Sequence, residues 1–195
     1  MKYFAIALCI YFLFSCSKSR NEPNLVSKKI GNQTWAVENL STTRYANGDA
    51  IPYVSDSLKW STLKQGAYCY YNNDVSKKIF LYNYYAVNDS RGLAPKGWHI
   101  PNDMELNILI DNLKGYPISQ LPNGGISINN FPIYFDGCRS DGANFNSLGE
   151  YFFLWSMDYR NDTHANGILF YFKNKEFEHF YTWKRNAVSV RLIKN

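Results

Sequence analysis

The sequence predicts an α+β domain, and three observations carry that expectation. Strand-like runs lie near both ends of the chain, from Val26 to Val37 and again from Phe152 to Ile193. A single amphipathic helix with start and stop signals is written between them, from Asp103 to Leu113. The stretch 115–150 that follows is rich in Gly, Asn, Ser and Pro and reads as a long loop region.

Taken in order, Val26–Ile30 and Gln33–Val37 flank Gly31-Asn32, the pattern of a β-hairpin. Residues 42–52 (TTRYANGDAIP) carry Asn47-Gly48 and a closing proline and read as a turn-rich connection. Lys59–Leu63 fits either helix or strand. Gly66–Tyr71 is a short β-prone run stopped by Asn72-Asn73-Asp74. Phe80–Val87 (FLYNYYAV) suits strand or helix by period and leans to a short helix or an irregular segment. In the corner "RGLAPKGWHIPNDMEL" (91–106), Asn102 precedes Glu105 by three residues, the spacing of a capping box. Leu106, Leu109, Ile110 and Leu113 then fall on one helical face, and Gly115 sits where a helix ends in left-handed backbone. Phe152–Ser156, Gly167–Phe172 and Ala187–Ile193 are the closing strands. The last alternates Val188, Val190 and Leu192 with Ser189, Arg191 and Ile193, as a half-buried strand does.

The N-terminus sets the address. Lys2 precedes an apolar run, Tyr3–Phe14, too short to span about 30 Å of hydrocarbon and suited to an export signal. Leu13-Phe14-Ser15-Cys16 resembles a bacterial lipobox, which implies that residues 1–15 are a lipoprotein signal peptide and that Cys16 receives the lipid. Residues 16–25 form a polar, proline-containing tether, and 26–195 are one domain. The expected location is therefore the outer membrane, lipid-anchored, facing the periplasm or the cell surface, with the membrane itself as a partner. Loss of residues 1–15 removes only Lys2 among charged groups and takes the formal charge from +5 to +4. Basic residues are scattered rather than striped, so nucleic acid is not expected.

Aromatic residues make up 17% of the chain and charged ones 19%, a balance that favours a packed, strand-rich domain over disorder. With Cys9 in the signal and Cys16 lipidated, Cys69 and Cys138 remain. In an oxidising compartment they are a candidate disulfide, and bridged and free thiols both stay open.

Several ordered motifs together carry a family resemblance. They include Ile30–Trp35, Glu38-Asn39-Leu40, Thr43–Gly48, Gly66–Asn73, Gly92–Pro101, Asn146–Tyr151, Trp155-Ser156 and Ser189-Val190-Arg191. On these the chain resembles the Fibrobacter succinogenes major paralogous domain, common in lipoproteins of the Bacteroidetes type, over about residues 28–194. The resemblance implies a C-type-lectin-like fold with paired terminal strands, one or two helices and a long loop region. Gly137-Cys138-Arg139 departs from the family's Gly-Tyr-Arg run, and Leu192 stands where many members carry cysteine, so Cys138 is a relocated partner of Cys69 or a free thiol.

No catalysis is expected. The distantly related sulfatase-modifying enzymes use a close pair of C-terminal cysteines that this chain lacks, and no GxSxG, Walker or HExxH motif occurs. His99 at the helix entry reads as a structural hydrogen-bonding group, and His164 and His179 as surface residues. No cofactor and no metal are expected. Carboxylates at Asp136, Asp141, Glu150, Asp158 and Asp162 have the hardness calcium needs but match no known cage spacing, and Glu22-Pro23-Asn24 lies in the tether. Recognition of a carbohydrate or an envelope protein is instead assigned to the loops. The candidates are Asp136, Arg139, Asp141, Asn144 and Asn146 in one stretch and Asp158, Tyr159, Asn161 and Asp162 in the next. The expected role is a binding or adhesion module; a ligand-free assembly subunit of an envelope or fimbrial complex is the alternative.

Overall fold

The computed structural model describes residues 25–122 and 124–195, so the signal segment, Cys16 and most of the tether lie outside the described residues. Strands β1 (Ser27–Ile30) and β2 (Gln33–Ala36) form the hairpin, with Gly31 in left-handed backbone at its turn. Helix α1 (Ser57–Ser61) follows, capped by the Asp56 side chain. Strand β3 (Tyr68–Tyr70) pairs with β4 (Phe80–Asn83), and Asn83 then caps the short helix α2 (Tyr84–Val87). The aromatic run that suited strand or helix is thus one after the other.

Strand β5 (Trp98–His99) leads into helix α3 (Asp103–Leu113), which opens on a complete capping box. Asn102 Oδ1 accepts from the Glu105 amide and Glu105 Oε2 from the Asn102 amide, both at 2.9 Å. Glu105 Oε1 also lies 2.8 Å from His99 Nε2, and His99 Nδ1 lies 2.6 Å from Asn195 Oδ1. The corner at 91–106 therefore ties the helix start to the chain's end, with Trp98 and Ile100 buried beneath it.

The expected long loop region is corrected here. Residues 115–150 carry five strands: β6 (Ile118–Gln120), β7 (Ile126–Ile128), β8 (Phe131–Ile133), β9 (Asp136–Arg139) and β10 (Phe145–Leu148). Gly and Asn occupy their tight turns, as left-handed Asn129 and Asn130 do between β7 and β8. Strands β11 (Tyr151–Tyr159), β12 (His164–Tyr171) and β13 (Glu176–Trp183) come next, then β14 (Ala187–Val188) and β15 (Ile193–Lys194).

The strands build four sheets, ordered β1-β2-β15-β5, β10-β9-β14-β4-β3, β11-β12-β13 and β6-β7-β8, with every strand pair antiparallel. Only about 15% of the described residues are helical. The α+β, C-type-lectin-like expectation is thereby overturned in favour of a β-sheet fold. Turn-rich sequence split into strands of three or four residues leaves almost no periodic signal, and that is why it read as loop.

The first hairpin and the last strand of the domain do meet, Ile193 of β15 pairing with Trp35 of β2. All seven residues from Ala187 to Ile193 are buried, not only alternate ones. Val188, Val190 and Leu192 enter one core with Tyr82, Trp98 and Trp155. Ile193 joins a second, with Trp35, α3 and the inner faces of β11 and β12, while Ala187 joins a third around Trp60 and Leu81. A segment flanked by cores on both sides has no solvent face, and Ser189 and Arg191 must find polar partners inside.

Cys69 and Cys138 are both free thiols. Cys69 lies on the face of the five-stranded sheet that packs with Trp60 and Leu81, whereas Cys138 packs against the core holding Tyr82 and Val188. Two strands, β14 and β4, separate theirs, and neighbouring strands lie about 4.8 Å apart. The candidate disulfide therefore fails on face and on distance. Burial pushes the Cys69 thiol up to about 12 against the pull of Arg139, and that of Cys138 up to about 11, so neither is a thiolate at neutral pH.

Candidate functional site

Of the residues assigned to recognition, Arg139 is interior and Asp136 is half-buried. The Arg139 guanidinium donates to the carbonyls of Val54 (2.8 Å), Ser55 (2.9 Å) and Ala143 (3.3 Å) and is sandwiched by the rings of Trp60 and Phe145. It pins the segment before α1 to the β9–β10 hairpin. Asp136 Oδ2 accepts from Asn39 Nδ2 (2.7 Å) and Ser189 Oγ (3.2 Å). Asn39 Oδ1 in turn accepts from Arg191 Nε (2.9 Å) and Nη2 (2.7 Å), while Arg191 Nη1 donates to the Pro132 carbonyl. Burial raises the Asp136 carboxyl above the ordinary aspartate value although Asn39, Arg191 and Ser189 all oppose it, and burial draws Arg191 down to about 10. Both shifts say that lost hydration outweighs the pairing, the usual sign of a structural buried network.

The β9–β10 group is turn chemistry. Asn144 presents its carbonyl to the Ser140 amide at 2.9 Å, and Asn146 Oδ1 accepts from the Cys138 thiol at 2.9 Å. Asn144 and Asn146 are exposed, and the half-exposed Asp141 lies 3.9 Å from Arg185.

The β11–β12 tip differs. Between Trp155 and Tyr159 the ladder slips, four steps on β11 against two on β12, and this bulge turns Met157 and Asp158 outward. Asn161 Oδ1 closes the turn by accepting from the Thr163 and His164 amides, both at 2.9 Å. Asp158 Oδ2 accepts from the Asp103 amide (2.9 Å), and Asp103 Oδ2 accepts from Asn166 Nδ2 (2.7 Å) on β12. The start of α3, the bulge and β13 are thus held side by side, because Asn166 pairs across to Tyr181.

This end gathers five exposed large apolar side chains: Met104 (72%), Tyr181 (59%), Tyr159 (53%), Met157 (39%) and Trp183 (39%). Cations stack among them. Arg160 lies 4.3 Å from the Tyr181 ring centre, Lys184 Nζ 4.1 Å from that of Tyr159, and Arg185 4.8 Å from that of Trp183. The His164 imidazole packs at 4.4 Å on the same tryptophan. Through Arg185 the patch extends to Asp141. Of the candidates, Asp141, Asp158, Tyr159, Asn161 and Asp162 therefore border it, Asp162 being exposed at the turn. Asp136 and Arg139 do not.

Elsewhere, a groove of about 1100 Å³ is lined by Leu40, Tyr45, Leu93, Trp98 and Leu192, with Leu25 and Val26 at its margin. No group of three or more His, Cys, Asp or Glu side chains among the described residues has metal-ligand geometry.

Residues 29–194 match the model of the Fibrobacter succinogenes major domain. The chain belongs to that family. No curated protein and no solved structure matches it. The Fibrobacter succinogenes major domain here begins inside β1 and ends inside β15, so the cationic aromatic patch lies within it. Sequence reasoning missed Tyr181, Trp183 and Arg185 because it left 176–183 unassigned. Their signal was available as Phe177, His179, Tyr181 and Trp183, every second residue of one strand.

Proposed function

We propose that this protein is a non-catalytic binding module of the cell envelope, lipid-anchored at Cys16 in the outer membrane, and that it recognises another protein. The observation that carries the reading is the patch of Met104, Met157, Tyr159, Tyr181 and Trp183 interleaved with Arg160 and Arg185. Exposed Trp, Tyr, Met and Arg in one place is the composition of a protein-binding hot spot. A glycan is the second reading, favoured by the same exposed rings beside Asp158, Asn161 and Asp162. It is weaker because sugar stacking needs open ring faces, and Tyr159, Tyr181 and Trp183 each already carry a cation over one face.

A photo-crosslinking residue placed at Tyr159 in cells tests the choice. One recurrent envelope protein should be captured there and not from the exposed Tyr116, and capture should fall in Arg160→Ala. Equal labelling from both positions sinks the proposal. Binding on a glycan array that is lost in Trp183→Ala moves the assignment to carbohydrate. Calcium has no part in the proposed recognition, so capture should be unchanged by EDTA. Membrane partitioning of Cys16→Ala tests the anchor separately.

A further inference from the structure

Strand β13 is an edge. It pairs with β12 through eight consecutive positions without a slip, and its sheet ends there. Proteins protect such edges with proline, inward charge, bulges or short length. Proline, bulge and short length are all absent: residues 176–183 (EFEHFYTW) contain no proline, five of the eight are exposed, and their only charged side chains, Glu176 and Glu178, sit at one end. The strand's charge is polar along its axis. Glu176 and Glu178 lie at its start, and the partly exposed Arg185 follows its end, just past the buried Lys184.

We infer that β13 is a self-association edge that pairs antiparallel with β13 of a second copy, about a two-fold axis close to Phe180 and Tyr181. The charge pattern selects this occupant. Antiparallel pairing of like strands carries the glutamates of one copy towards Arg185 of the other, whereas parallel pairing sets glutamate beside glutamate. A two-fold perpendicular to the sheet also matches each face with itself. Phe177, His179, Tyr181 and Trp183 therefore form one cross-strand aromatic row with their counterparts, an arrangement that stabilises antiparallel sheets. The three-stranded sheet becomes six-stranded, and the two cationic aromatic patches come together across the axis as one bivalent surface. This inference does not require the patch to bind a foreign partner.

Cysteine crosslinking of the full chain in cells tests it. Tyr181→Cys, near the axis and exposed, should give a disulfide dimer on a non-reducing gel, while Tyr116→Cys, equally exposed but remote from β13, should not. In sedimentation of the purified protein the dimer should weaken roughly tenfold in Glu176→Lys/Glu178→Lys, which sets like charges together. These surface changes leave the cores intact, so unfolding does not confound them. A monomer at every concentration, or equal crosslinking from Tyr116→Cys, overturns the inference. So does a Tyr181→Cys adduct to a different protein only, an outcome that would leave the proposed function standing.

Discussion

Arg139 and Arg191 are fully buried, whereas Arg160 and Arg185 sit at the surface among exposed rings. All four stack on aromatic side chains, yet the two pairs do different work. The interior pair donates to carbonyls and to Asn39 and welds distant segments together. The outer pair holds tyrosine and tryptophan upright at the β11–β12 end, where they have no core to enter. The difference lies in the strand's surroundings: β9 and the 187–193 segment run between cores, while β13 has a neighbour on one side only. An arginine next to an aromatic residue is therefore a buried clamp or a surface contact according to what lies behind the sheet.

Removing an interior clamp should break the molecule. Arg191→Met leaves Asn39 Oδ1 without its guanidinium partner and the half-buried Asp136 carboxyl without the nearby positive charge, and should cost about 3 kcal/mol by denaturant unfolding. A loss below about 1 kcal/mol would mean that Asp136 and Asn39 satisfy each other without it.

A smaller effect is expected from acid. The folded carboxyl of Asp136 titrates above the ordinary value of 3.8. Between the two values the native state keeps a proton that the unfolded chain releases, so stability falls as pH rises through that window. The contribution is complete below pH 3.8 and gone above the folded value. Asp136→Asn should remove this slope, read as melting temperature against pH for the two proteins side by side. Parallel curves would count against the burial argument.

The least change in stability belongs to the outer end. Trp183→Ala should shift unfolding by about 0.5 kcal/mol or less, as surface substitutions do, while lowering capture of a partner. Destabilisation comparable to Arg191→Met would erase the contrast between the two regions and make the patch part of the core.

The hairpin at 26–37 and helix α3 were legible because each writes a local rule: a glycine turn between two runs, or a cap followed by a four-residue apolar stripe. The roles of Asp136 and Arg139 were not. A polar residue in a Gly- and Asn-rich stretch looks exposed until the strands around it are assembled, and Asp136 meets Asn39 from 97 residues away. The patch was half legible, since Tyr159 and Asp158 were visible as tip residues while Trp183 waited on the pairing of β12 with β13.

By itself, then, the sequence determined the family, the capped helix and the two segments where strands begin and end the domain. These rest on contiguous residues, for which chemistry and spacing are enough. Tertiary structure alone decided that residues 115–150 are strands, that Cys69 and Cys138 lie on opposite faces of one sheet, and that polar residues from distant turns are interior. Such properties depend on which face of a strand meets a core, and a register set by pairing across the whole chain decides that.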